Sequence, residues 1–123
     1  MRDHAARTTF ASSRFGVAPG CSRENVYFLC ATVTNPQQRV VTAQLRRSAL
    51  SISATIAEGC GKGSRPETIR YLEMACGSVA ESEHHLLMAS DLAILPPAKC
   101  STLAGEASQL RRMLRALIER LPP

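Results

Sequence analysis

From Gln37 to about Glu58 the apolar residues Val41, Leu45, Ala49, Ile52 and Ile56 recur at steps of three and four, with polar residues between them. This spacing puts them on one stripe and predicts an amphipathic helix of roughly 22 residues. Ile69, Leu72, Cys76, Val79, Leu86 and Leu87 carry the same period through a helix predicted from about Arg65 to Leu95, where Pro96-Pro97 stops it. A last helix is predicted from Lys99 or Ser101 to Leu121. Its Leu103, Ala107, Leu110, Leu114, Leu117 and Leu121 alternate by four and three, the spacing of a bundle seam. A shorter first helix, from about Ser22 to Val33, carries Val26, Phe28, Leu29 and Val33. Residues 1–21 show no period, and Gly16, Pro19 and Gly20 would interrupt a helix there. That stretch is expected to be irregular and residues 22–123 to form a single folded domain.

The joints between these segments have their own chemistry. Asn35-Pro36 supplies an N-cap and a first-turn proline for the second helix. Gly59, Gly61 and Gly63 are expected to end it through the left-handed conformation that glycine adopts without strain. Ser64-Arg65-Pro66-Glu67 then has the capping-box arrangement for the third helix. Four helices joined by short connections pack antiparallel to their sequence neighbours. The predicted fold is therefore all-α: an antiparallel up-down-up-down four-helix bundle with a shortened or irregular first helix. The glycine-rich stretch Ile56 to Glu67 is then a helix hairpin rather than a nucleotide loop. A phosphate-binding loop follows a strand and has Ser or Thr after its lysine, whereas here a helix precedes and Gly63 follows Lys62.

Composition adds little to the fold but narrows the chemistry. The 123 residues include 15 Lys and Arg against 10 Asp and Glu, no Trp and few aromatics. No apolar run is long enough to span a bilayer and no signal-peptide pattern opens the chain, so a cytoplasmic protein without a membrane partner is expected. Cys21, Cys30, Cys60, Cys76 and Cys100 form an odd set with no CxxC pair, which predicts reduced, core-filling thiols rather than disulfides or zinc ligands. Glu81-Ser82-Glu83-His84 contains one Glu-x-x-His, but di-iron bundles need two such motifs and two further carboxylates. No nucleophile has an identifiable base, so no catalytic residue, metal or cofactor is assigned and the chain is read as non-enzymatic.

Charged positions offer two candidate groups. Glu58, at the C-terminal end of the second helix, opposes the helix dipole and calls for a cation such as Arg70 or Arg65. Glu81 is expected to face Arg46 or Arg47 across the second and third helices. Arg46, Arg47, Glu58, Arg70 and Glu81 thus form a candidate structural charge network. Arg111, Arg112, Arg115 and Arg120 lie beside the leucine seam of the fourth helix with Glu119 the nearest acid, and with Lys62 and Arg65 they form a candidate nucleic-acid face. Without interleaved aromatics to stack bases, such a face would contact phosphates and read no sequence. Gly77, amid Ala75, Ser78 and Ala80, is expected to admit a close helix neighbour, in the bundle or on another subunit.

The run Gln44 to Ile52, continuing through Ile56-Ala57-Glu58-Gly59 to Gly77-Ser78-Val79-Ala80-Glu81, resembles a known family. Its members are small four-helix-bundle proteins named after reading frames in intervening sequences of bacterial 23S ribosomal RNA genes, and its fold family includes the accessory variability determinant of diversity-generating retroelements. The resemblance covers about residues 26–121. Thr55 stands where the family usually has Asn, Lys62 near a usual Arg, and the family's long first helix has no counterpart pattern between Thr8 and Cys21. The resemblance implies a ring-like homopentamer, with a basic face that in some members contacts nucleic acid and a partner protein such as a reverse transcriptase; it implies no catalytic reaction. The function expected is a non-enzymatic homo-oligomer binding RNA or DNA as an accessory to a nucleic-acid-processing partner. The alternative is a protein-binding scaffold with no nucleic-acid role.

Overall fold

The computed structural model describes residues 23–122, with side chains from Asn25 onward; the segment 1–21, expected to be irregular, and Cys21 within it lie outside the described residues. Among the described residues there are four helices and no strand: α1 (Arg23–Ala31), α2 (Pro36–Cys60), α3 (Arg65–Asp91) and α4 (Pro97–Arg120). After α1, Thr32 donates its hydroxyl and its amide to the Leu29 carbonyl, and Val33 tucks in as a buried anchor. Asn35 caps α2 by accepting from the amides of Gln37 at 2.9 Å and Gln38 at 3.3 Å, so two otherwise unpaired donors of the first turn are satisfied.

The α2–α3 joint departs from the left-handed glycine cap that the sequence suggests. Gly59 is still helical and buried, and Gly61 caps the helix in the right-handed region at φ −83°, its amide reaching the carbonyls of Ala57 and Glu58 while the Lys62 amide reaches that of Gly59. What Gly59 supplies is proximity: a Cβ there would lie 2.8 Å from Tyr71 Cβ and 3.4 Å from the Thr68 carbonyl. Thr68 uses that closeness to donate its hydroxyl to the Gly59 carbonyl at 3.0 Å. Ser64 accepts from the Glu67 amide at the start of α3, as its position in the sequence indicates.

The left-handed residue is at the other end of α3, and it is not glycine. Ala93 has φ 55°. Its amide bonds to the Ser90 carbonyl while that of Ile94 reaches back to Ala89 at 2.8 Å, the pair of bonds that closes a helix end around a left-handed residue. This cap ends α3 at Asp91, four residues before the predicted Leu95, and Leu95 folds inward as a buried side chain. Pro96-Pro97 thereby opens α4 instead of terminating α3, which starts α4 at Pro97 rather than at Lys99 or Ser101.

Cross-helix contacts fix the directions. Arg47 meets Glu81, Ser48 meets Ser82, Ser51 meets Ser78 and Gly59 meets Thr68, so numbers fall along α3 as they rise along α2. The core has two parts. One joins Ile52 and Ile56 of α2, Leu72, Ala75, Cys76 and Val79 of α3, and Ala107, Leu110 and Leu114 of α4. The other joins Val26 and Cys30 of α1 to Leu45, Leu86, Ala89, Leu95, Cys100 and Leu103. The C-terminal half of α3 thus pairs with the N-terminal half of α4, which makes those helices antiparallel too. The described α1 contributes to one end of the bundle only.

Candidate nucleic-acid interface

Antiparallel packing determines which cations share an end. The C-terminus of α2, the N-terminus of α3 and the C-terminus of α4 come together, and with them Lys62, Arg65, Arg70, Arg112, Arg115 and Arg120. Cations outnumber acids over this end, where Glu58, Glu67, Glu73 and Glu119 are the acidic residues. The signal for this grouping, the hairpin order of the helices, is legible in the sequence, yet the residues are up to 58 positions apart in the chain.

The four arginines of α4 do not form one uniform row. Arg111 leans toward α3, where one of its terminal nitrogens lies 3.5 Å from Glu83, a long ion pair that leaves Glu83 Oε1 without a hydrogen bond among the described residues. Arg111 and Arg115 both lie close enough to Cys76 to favour its thiolate. Burial outweighs them and pushes that thiol up. Arg112, Arg115 and Arg120 are exposed. The acidic α3 thus engages one of the four arginines within the same chain. Lys62 is half-buried over the Tyr71 ring, 4.9 Å from its centroid, and Arg65 is exposed.

The candidate structural network divides likewise. Arg47 pairs with Glu81, which also takes a contact from His85 at 3.4 Å. Burial pushes the Glu81 carboxyl up, but the hydrogen bonds from Arg47 and His85, helped by their charges, outweigh it and hold the group below its ordinary value. Glu81 therefore turns to His85, one turn on, rather than into a Glu-x-x-His pair with His84, and the two imidazoles lie 5.5 Å apart. Arg46 is drawn to α1 instead, over the Tyr27 ring at 5.7 Å. Glu58 and Arg70 are exposed and form no ion pair among the described residues. At the exposed end of a helix, water screens the unfavourable dipole term that led to the expectation of a partner for Glu58.

Beneath the Arg47–Glu81 pair runs a row of hydroxyls that the apolar periodicity does not reveal. Ser82 donates to Ser48 at 2.9 Å, Ser51 and Ser78 meet at 3.0 Å, and Ser48 reaches the Leu45 carbonyl of its own helix. Ser48 is fully buried, so the α2 stripe passes through Ser48 where Ala49 fits the apolar pattern. Small hydroxyls let the two helices approach while satisfying one another.

Gly77 is exposed with open space where a Cβ would go, so no helix among the described residues approaches it. Glu106 lies half-buried with Oε2 unpartnered among the described residues, and burial raises its carboxyl. Among the described residues no group of three or more His, Cys, Asp or Glu is placed to hold a metal ion. No helix there is long and apolar enough to cross a membrane. Cys30, Cys76 and Cys100 are buried thiols outside any disulfide among the described residues, and Cys60 is half-buried. The model of a protein family described as 23S rRNA-intervening sequence protein matches residues 22–116. No curated protein matches the chain.

Proposed function

From the premise that this chain belongs to the 23S rRNA-intervening sequence protein family, we propose that it is a non-enzymatic, cytoplasmic homo-oligomer that holds nucleic acid by its phosphates, as an accessory to a nucleic-acid-processing protein. The observation that carries the reading is the gathering of Lys62, Arg65, Arg112, Arg115 and Arg120 at one end of the bundle, where acids are fewer. Repeated by rotational symmetry, that end becomes a multivalent cationic surface. Oligomerisation is supported by apolar side chains left in solvent. Val40 and Leu50 continue a stripe with Ala43, Ala54 and Ala57 on the outside of α2, and on α3 Met74 lies exposed one turn before the bare Gly77, with Leu87 exposed further along. A pentamer is the assembly that the family resemblance implies.

Fluorescence anisotropy with labelled RNA and DNA oligonucleotides tests the binding. Affinity should be measurable at about 50 mM salt, differ little between sequences and fall steeply as salt rises. Replacing Arg112, Arg115 and Arg120 by Gln together should flatten the plot of log affinity against log salt by about 0.7 to 0.9 for each phosphate no longer neutralised. If the unaltered protein does not bind, or the triple variant binds with the same slope, the reading fails. The scaffold alternative then stands, because the same apolar stripes on α2 and α3 suit a protein partner.

A further inference from the structure

Cys30 and Cys100 lie in the same buried cluster, 4% and 3% exposed, and both are free. Cys30 is in the last turn of α1 and Cys100 in the first turn of α4, and the antiparallel order puts both turns at the same end of the bundle, where both side chains belong to one buried cluster. Both are inward-facing and one turn from the same end, and a disulfide requires their Cβ atoms to come to roughly 4 Å, so the short helix α1 must close onto α4 for the bond to form.

We propose that Cys30 and Cys100 form a disulfide under oxidising challenge, a covalent clasp that pins the short helix α1 onto α4. The oxidant fitted to this step is a small disulfide such as oxidised glutathione. The Cys30 thiolate attacks one of its sulfurs, a mixed disulfide forms and one glutathione thiolate leaves; the Cys100 thiolate then attacks the Cys30 sulfur and displaces the second glutathione. The two cysteines give up two electrons and two protons, and the glutathione disulfide takes up both as two thiols.

The surroundings set the rate. Burial pushes the Cys30 thiol up to about 11; the Arg46 charge opposes that rise and a charge on Cys100 adds to it, so the two sulfurs sense one another. Burial raises Cys100 as well. With α1 docked both sulfurs are protonated and inert, so exchange starts only when α1 lifts from the cluster. Once formed, the link closes a loop spanning most of the bundle, which raises the melting temperature by restricting the unfolded chain.

The test is incubation of the full chain with oxidised glutathione, followed by intact mass and non-reducing tryptic mapping. The expected product has lost two hydrogens, contains peptide 24–39 joined to peptide 100–111, and melts several degrees higher until reductant is added. Urea well below the unfolding midpoint should speed the reaction by freeing α1. Cys30→Ala and Cys100→Ala, each checked for helicity, should both abolish the product and the melting shift. Stable mixed disulfides on Cys30 and Cys100 without linkage, a dominant link through Cys21, Cys60 or Cys76, or a link that survives either substitution would each overturn the proposal.

Discussion

Two glycines of this chain, both within helices, have opposite environments. A methyl group at Gly59 would sit 2.8 Å from Tyr71 Cβ, an atom fixed to the α3 backbone, so α2 and α3 would have to part. Gly59→Ala therefore costs about 1 to 3 kcal/mol by overpacking, even though alanine is the better helix former. At Gly77 nothing lies within 4 Å of the added atom, and Gly77→Ala should stabilise the monomer fold by about 1 kcal/mol. Paired urea melts check both signs. Loss of assembly in Gly77→Ala alongside the gain in fold stability would place a neighbouring copy on that face. Ala93 is the complementary case, an L side chain held left-handed at a cost of about 1 kcal/mol because the bonds of Ile94 and Leu95 back to Ala89 anchor the turn.

Within the elements, energy resides in the inward stripe and little of it in the charges outside. Leu114 is fully buried on α4 between α2 and α3, and Leu114→Ala is expected to cost about 2 to 5 kcal/mol; Arg112→Ala, on the exposed side of the same helix, should cost well under 1 kcal/mol. Thermal melts separate the two, and equal losses would contradict the helix orientation. The surface pair linking α2 to α3 has its own signature. Because Arg47 and His85 depress the Glu81 carboxyl in the folded chain, its contribution is present above the ordinary carboxylate value of 4.5 and disappears as pH falls through the lower folded-state value. Glu81→Gln should therefore be less stable than the unaltered protein at pH 7, by no more than about 1 kcal/mol given that both partners are partly exposed, and equally stable once the pH is well below 4.5. Urea midpoints across that range check it; a difference that persists in acid would trace the effect to packing.

For the whole molecule, the asymmetry of α1 matters most. It contributes to one of the two core clusters, while apolar stripes on α2 and α3 face solvent. The proposed assembly predicts a particle of several chains, five by family resemblance, in light scattering across a size-exclusion peak at micromolar concentration. Leu50→Arg, a charge placed on the exposed α2 stripe, should shift the particle toward monomer with helicity intact. A monomeric unaltered protein, or an assembly indifferent to Leu50→Arg and to Gly77→Ala alike, would refute the interface described. Salt dependence belongs to the same scale, since the number of cations facing one nucleic-acid strand follows from how many copies present their basic ends together.

Periodicity alone determined the four helices and the seam of α4, because burying an apolar stripe leaves a three-and-four spacing that no other backbone state produces. Asn35 and Ser64 were legible as caps for a similar reason: their side chains bond amides two or three residues away, a distance the sequence contains. The family was legible as well, since its motifs lie on the seam between α2 and α3. What depends on neighbours distant in the chain was not legible. Gly59 reads as a helix terminator until Tyr71 is set beside it, and Ser48 reads as surface until Ser82 arrives from α3. Arg111 reads as a free cation until Glu83 meets it, whereas Glu58, expected to have a partner, is exposed with no ion pair among the described residues. The left-handed cap falls on an alanine because the bonds returning to Ala89 outweigh the intrinsic preference for glycine. Local bonds are encoded within a few residues, whereas close approach, burial and charge pairing are set by which helix faces which, and only the folded bundle decides that.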